Sequence, residues 1–347
     1  MIRDGISKIL VRGVNWIGDA IMALPALNAI HEGYKGAHIH VLCNPWTYEI
    51  YRLQPFIKGI ILHQKPRSFL MYPLEILKVV KEIRKRNFDM AVLFQNAFEA
   101  ALIAYLSGIK IRVGYATDMR GPLLTHIIER NRKIDSLHHS EYYKGIVRGM
   151  GLKIRDEIPR LHISDQLKER GCEILKRFGV KNRTELIGIC PGAEYGPAKR
   201  WPEEYFSKIA DMAIESLGAE VVIMGSGKEK EICKKVELGM RHSPISLCGR
   251  TSLMDVIGII KNLKVLVCND SGLMHVASAL NTPLVSIFGS TDPKRTGPLS
   301  ANSRVIQGSV ECSPCFKTHC ENGYICLKSV KVKDVWREVE ELWHIVK

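Results

Sequence analysis

Residues 264–289 read KVLVCNDSGLMHVASALNTPLVSIFG. Two apolar runs, KVLVC and PLVSIFG, have the unbroken hydrophobicity of strands buried on both faces of a parallel sheet, and the stretch between them is long enough for a helical crossover. The first run ends at Asn269-Asp270, and Ser271 and Gly272 open the helix. The first turn of a helix has backbone N–H groups without intrahelical partners and carries the positive end of the dipole. This turn is therefore an anion site, suited to a diphosphate. Asp270 can cap the helix, Gly272 admits close approach to the backbone, and His275 falls one turn beyond Ser271 on the same face. A plain capped helix with a buried histidine would account for Asp-Ser-Gly, but accounts less well for a histidine beside an anion site.

The alternation of short apolar runs and longer amphipathic ones continues in both directions. In the second half the strand candidates are LIGIC, AEVVIMG, PISLCG, KVLVCND and PLVSIFG; in the first they are KILVRGV, HIHVLC, GIILH, DMAVLF and IRVGY. Helical crossovers between them include PLEILKVVKEIRKRN, where Leu74, Leu77, Val80 and Ile83 recur at helical spacing, and EEYFSKIADMAIESLG, closed by Gly218. The pattern is α/β, and 347 residues exceed one ordinary core. We expect two Rossmann-like domains, residues 1–165 and 166–347, with parallel sheets facing each other across a ligand cleft at their carboxyl ends. The charged stretch 151–185, with Pro159, carries the crossing between them.

Two further strand-to-helix turns in the second half look chemical. CPGAEYGPAKRWPEEYF (190–206) turns at Pro191-Gly192 and presents Lys199 and Arg200 on a loop before Trp201-Pro202 starts a helix. Basic residues held there would neutralise a phosphate; Arg200 reads equally as a solvated flank, and Trp201 reads as packing. VVIMGSGKEKE (221–231) runs into a small-residue turn through Ser226, Lys228 and Glu229, where such folds contact a nucleoside, although the spacing is not that of a phosphate loop. In the first half, GVNWIGDA (13–20) follows KILV and puts Trp16, Gly18 and Asp19 where dinucleotide-binding proteins carry three glycines. The missing glycine fingerprint argues against a nicotinamide dehydrogenase. Asp19 either caps the helix or does chemistry, and Trp16 either shields a substrate or packs under Asp19.

Net charge is +14 and uneven: through Asp165 there are 24 Lys+Arg against 15 Asp+Glu, and after it 26 against 21. Clusters such as KEIRKR (81–86) imply an anionic partner, unless they are solvated helix faces; nucleic acid, an acidic membrane face and a phosphorylated glycolipid would each satisfy them. Nucleic acid is the poorest, because the basic residues are not interleaved with aromatics on one element and no recognition-helix or RNA-binding signature occurs. The run IMALPALNAI is too short to span a bilayer and contains Pro25, and no export signal is visible, so the expected location is cytoplasmic. The ten cysteines are therefore expected as thiols, with Cys43, Cys190, Cys248 and Cys268 in apolar strands. Cys312, Cys315, Cys320 and Cys326 form C-x2-C-x4-C-x5-C. Two readings stand: a structural zinc site, with His319 as an alternative ligand, or free or redox-active thiols.

The blocks NWIGDAIMALPAL, PGAEYGPAKRWP and NDSGLMHVASALNTPLVSIFGSTDP, in that order over almost the whole chain, resemble the lipopolysaccharide heptosyltransferase family. The resemblance implies a GT-B fold and an inverting glycosyltransferase. Its donor would be ADP-L-glycero-D-manno-heptose, with no cofactor and no metal required for the chemistry. Carried over position by position, Asp19 is the general base, with Gly18 beside it. Lys199 meets a donor phosphate, and Asp270, Ser271, Gly272 and His275 form the diphosphate and sugar site. Ser226 and Lys228 or Glu229 approach the nucleoside, and Thr291 and Asp292 line the donor pocket. The implied acceptor is Kdo2-lipid A bearing a first heptose, met by peripheral contact with the inner face of the cytoplasmic membrane. The alternatives are transfer of the first heptose, or a relative using another nucleotide sugar.

Overall fold

The structure, a computed structural model, describes residues 5–65, 68, 71–182 and 185–345. Residues 66, 67, 69 and 70, between the strand candidate GIILH and the helix candidate PLEILKVVKEIRKRN, and 183–184 of the crossing stretch lie outside the described residues. The chain divides into two units, Met1–Pro159 and Arg160–Lys347. The expected boundary after Asp165 falls inside the second unit, where the Leu161 N–H already donates to the Ala279 carbonyl at 2.9 Å.

The first unit holds β1 (Lys8–Arg12), β2 (His38–Cys43), β3 (Ile57–Leu62), β4 (Met90–Leu93), β5 (Ile111–Tyr115) and β6 (His126–Ile128). They form one parallel sheet in the order β3-β2-β1-β4-β5-β6. The second unit repeats the plan with β7 (Leu186–Cys190), β8 (Glu220–Ile223), β9 (Ile245–Ser246), β10 (Val265–Asn269), β11 (Leu284–Phe288) and β12 (Ser303–Gln307), ordered β12-β11-β10-β7-β8-β9 and again parallel. Every residue of β4, β7, β10 and β11 is buried, which is why these strands read as continuous apolar runs. In both sheets the strand order reverses at the centre, between β1 and β4 and between β7 and β10. Loops leaving the carboxyl ends of those paired strands diverge, opening the crevice in which doubly wound folds bind ligands.

The helix Tyr72–Arg84 departs from the expected packing. Val80 and Ile83 are buried, but Leu74 and Leu77 are 59% and 58% exposed. A strict spacing of three falls short of the 3.6-residue turn by about 60° per step, so four such positions wind across about half the helix circumference. The apolar row therefore begins facing outward and ends facing the sheet.

In the second unit the helix Asp165–Arg177, capped by Ser164, lies against the helix Leu253–Ile260 that leads into β10. Arg170 pairs with Asp255 at 2.6 Å, and the Asn262 amide donates to the Lys168 carbonyl at 2.9 Å. The two backbones touch at Gly171, where an added Cβ would lie 2.4 Å from the backbone of Gly258. Gly171→Ala is accordingly expected to destabilise the protein by about 1–3 kcal/mol through forced separation of the helices, read as a lowered urea midpoint.

Candidate functional site

In the second unit the loops after β7 and β10 are tied together by one buried side chain. Asn269, the last residue of β10, is fully buried; its amide nitrogen donates to the Pro191 carbonyl at 2.7 Å and its oxygen accepts from the Trp201 N–H at 3.0 Å. Trp201 is itself fully buried and donates its indole N–H to the Val330 carbonyl, so it packs, as its sequence context suggested. The 190–206 loop is thereby pinned at both ends. Pro202 occupies the N-cap of Glu203–Leu217 rather than its first turn.

Lys199 sits in the middle of that loop with its ammonium 2.6 Å from Asp270 Oδ2 and 4.6 Å from the Tyr195 ring centroid. Thr291 Oγ1 donates to the same Asp270 oxygen at 2.6 Å. The expected cap by Asp270 is corrected here: its carboxylate is turned to Lys199 and Thr291. Ser271 takes the N-cap of Gly272–Ala279, with no side-chain cap among the described residues. With Lys199 both partners carry full charges in a buried setting, which favours this pairing over bonds to the neutral N–H groups of the helix start. Ser271 Oγ and, next to Thr291, Ser290 Oγ are buried with no hydrogen-bond partner among the described residues. His275 is buried on this helix. An uncapped helix start, an ammonium and two unsatisfied hydroxyls make a polar, anion-attracting site at the switch point.

Other expected residues stand around it. Ser226 and Glu229 form a capping box, and Glu229 accepts the Ser226 N–H at 2.7 Å. Glu229 also lies flat on the first loop, since a Cβ on Gly192 would come 1.9 Å from its Oε1; only glycine allows this approach of the 192 and 226–229 turns. Lys228 points elsewhere, to Glu194 at 2.5 Å on the exposed side. Asp292 caps the short helix Pro293–Thr296 through the Lys294 N–H at 2.9 Å.

The cysteine-rich segment docks on this loop: the Tyr195 hydroxyl donates to the Phe316 carbonyl, Ala198 N–H to the Thr318 carbonyl, and Phe316 N–H to the Ser290 carbonyl. Cys312 and Cys315 are exposed, Cys320 half-buried and Cys326 buried, all as thiols. Among the described residues no group of three or more His, Cys, Asp or Glu is disposed to hold a metal ion. Burial pushes the Cys326 thiol up, against a backbone hydrogen bond from Leu327, and the nearby Cys320, Cys312 and Cys315 add to the rise. Cys43, Cys190 and Cys268 are buried in strands as expected, whereas Cys248 is buried in the turn after β9, which ends at Ser246; Cys172 and Cys233 are buried on helices.

In the first unit Asp19 lies in the first turn of the helix Ile17–Met22, beside Gly18. Trp16 is the N-cap residue and is 54% exposed, so it does not pack under Asp19. Instead Tyr51 lies under the turn, its hydroxyl accepting the Val14 N–H at 3.1 Å. Asp19 Oδ1 faces His139 Nε2 at 3.8 Å, and the same nitrogen is 3.0 Å from the Tyr143 hydroxyl. Burial pushes Tyr143 well above the ordinary phenol value, with the charge of Asp19 contributing, so its proton stays on. His139 opens the helix His139–Gly149, in a stretch where the sequence offers no readable motif.

A second polar cluster, centred on the buried Glu99, stands at the same edge of this sheet. Glu99, at the start of Phe98–Leu106, accepts from His63 Nε2 at 2.7 Å, from Lys65 at 2.8 Å and from the Tyr72 hydroxyl. Arg12 at the end of β1 is buried beside them, donating to the Gly13 and Leu42 carbonyls. No signal of period or spacing links these residues in the sequence.

Residues 76–325 match the glycosyltransferase family 9 (heptosyltransferase) profile. The chain belongs to that family. It is 33% identical over 313 residues to lipopolysaccharide heptosyltransferase 2 of Escherichia coli strain K12, covering 86% of this chain and 88% of that one. The solved structure of the E. coli ADP-heptose LPS heptosyltransferase II superposes with a TM-score of 0.83 at 29% identity, over 97% of this chain and 99% of that chain. The family 9 glycosyltransferase of Veillonella parvula DSM 2008 shares the fold, with a TM-score of 0.87 at 22% identity over 98% of both chains. This family 9 member is thus a glycosyltransferase, with the paired α/β units of the GT-B class.

Two consequences are measurable. Lys199→Met would strand the Asp270 carboxylate and is expected to lower unfolding stability by about 3–5 kcal/mol, whereas Lys199→Met combined with Asp270→Leu recovers most of it in a urea double-mutant cycle. Burial raises the Glu99 carboxyl, but the hydrogen bonds from His63, Lys65 and Tyr72 outweigh it and bring it down to about 2 from the usual 4.5. A depressed carboxyl stabilises the fold above the unfolded value and loses that contribution as pH falls through the folded one. Between pH 4.5 and 2 the thermal midpoint of Glu99→Gln should therefore fall less steeply than that of the wild type.

Proposed function

We propose that this family 9 member transfers L-glycero-D-manno-heptose from ADP-L-glycero-D-manno-heptose to Kdo2-lipid A that already carries one heptose, with inversion. The observation that carries the donor side is the cluster at the second unit's switch point. There Lys199 is held by Asp270 and Thr291 beside the uncapped start of Gly272–Ala279, with the Ser271 and Ser290 hydroxyls unsatisfied. The 33% identity to the E. coli heptosyltransferase 2 supports the choice of sugar and acceptor.

In this reading an acceptor hydroxyl attacks the anomeric carbon, the bond to the diphosphate breaks, and the proton passes to the Asp19 carboxylate. Negative charge grows on the departing ADP and is met by Lys199 and by the helix N-terminus. An ammonium has three N–H donors, so Lys199 keeps its bond to Asp270 while binding a phosphate oxygen. Asp270 then acts mainly by aiming Lys199, while Gly272 and His275 flank the diphosphate and sugar. Ser226 and Glu229 lie on the nucleoside side, and Thr291 and Asp292 close the donor pocket. The enzyme works at the inner face of the cytoplasmic membrane without crossing it; among the described residues no helix is long and apolar enough to span a bilayer.

The test is ADP release from ADP-heptose with Kdo2-lipid A, bare or carrying one heptose. Turnover only on the heptosylated acceptor is expected. Asp19→Asn should lower kcat by about 10²–10⁴ while calorimetric binding of ADP-heptose persists. Turnover on the bare acceptor would instead assign transfer of the first heptose, and a folded protein that binds no ADP-heptose would overturn the donor.

A further inference from the structure

The helix Tyr72–Arg84 has an outward face that its own fold leaves uncovered. Leu74 and Leu77 are more than half exposed, as is Met71 just before the helix at 52%, and Leu62 at the end of β3 is 49% exposed. Monomeric surfaces carry scattered apolar side chains as a matter of course, but here they share one helix face with charges of one sign. Lys78, Lys81 and Lys85 continue the outward face, all exposed. The helix's two acidic residues lie to the flanks: Glu75 is 3.9 Å from Lys78, and Glu82 pairs with Arg86 at 2.7 Å. The Glu75 side chain is 29% and the Glu82 side chain 43% exposed, each beside a basic neighbour.

Apolar side chains on the first two turns and lysines on the next two suit a boundary with hydrocarbon on one side and anionic headgroups on the other. A helix that follows a strand begins at that strand's carboxyl end, so Met71 and Leu74 stand at the same edge of the sheet as the turn bearing Asp19. A lipid-anchored sugar acceptor would reach this edge from a membrane lying against it.

We propose that the outward face of Tyr72–Arg84 is the surface on which this protein rests on an anionic bilayer, Met71, Leu74 and Leu77 entering the interface and Lys78, Lys81 and Lys85 meeting the headgroups. The inference rests on the reading of the acceptor as a lipid-anchored glycolipid, and it assigns that contact to named residues. The net positive charge of the first half adds long-range attraction that salt screens.

The experiment is co-sedimentation of the full chain with phosphatidylcholine vesicles, with and without phosphatidylglycerol, at low and high salt. The wild type should bind only the anionic vesicles and be released by salt. Leu74→Ser with Leu77→Ser, and separately Lys78→Glu with Lys81→Glu, should each weaken binding about tenfold or more without changing the thermal midpoint. Transfer to a water-soluble, delipidated acceptor should be unchanged in both variants, while KM for the vesicle-embedded acceptor rises. Wild-type protein that ignores anionic vesicles, or variants that bind them as tightly as the wild type, would overturn the proposal. So would a wild-type dimer in sedimentation equilibrium that Leu74→Ser with Leu77→Ser converts to monomer, because the face would then belong to a second copy. Vesicle binding as expected with no transfer to the soluble acceptor would count against the heptosyltransferase reading alone.

Discussion

The amide of Asn269 is the interaction on which the second unit's site depends. It is fully buried at the end of the central strand β10, and its two ends hold the Pro191 carbonyl and the Trp201 N–H, the two ends of the loop that bears Lys199. A side chain without both functions would leave at least one buried backbone group unpaired, at a cost of about 1–3 kcal/mol. With the loop fixed, Lys199 is delivered to Asp270, Asp270 to Thr291, and the start of the next helix is left free of a side-chain cap. Parallel pairing of β10 with β7 at the point of strand reversal is what lets one residue reach both ends of the loop.

Charge is placed differently in the two units. In the second, a cation and a carboxylate neutralise each other with two hydroxyls unsatisfied alongside, so that donors are left over with the pair intact. In the first, Glu99 is enclosed by His63, Lys65 and Tyr72 and holds the loop after β3 and the helix after β4 together. Asp19 stands apart from that cluster in the first turn of its helix, with His139 as a neighbour from a helix about 120 residues further on. One carboxylate is thus consumed by structure, and the other is the one we propose as the general base.

The cysteine-rich segment bears on the Lys199 loop through backbone contacts at Phe316 and Thr318, with the Tyr195 hydroxyl as the only side-chain group among those bonds. The same ring of Tyr195 lies under the Lys199 ammonium, so the segment's contact and the cation share a residue.

The sequence by itself determined the α/β class, both central strand sets and the turns that bear chemistry, because strands buried on both faces must be apolar throughout and strand-to-helix turns need small or polar residues. It did not show β6 or β12, whose edge positions are half-exposed and therefore carry no apolar run. It named Asp19, Lys199, Asp270 and Thr291 as residues of interest. Only the tertiary structure decided that Asp270 pairs with Lys199 and Thr291 instead of capping its helix, because the competition was between a local bond and a charged partner 71 residues away. Tertiary structure likewise decided that Leu74 and Leu77 face outward, since a spacing of three fits a helix but does not say which end of the winding row meets the sheet. His139 beside Asp19, and the enclosure of Glu99, were settled by the strand order alone: contacts made by topology leave no period in the chain.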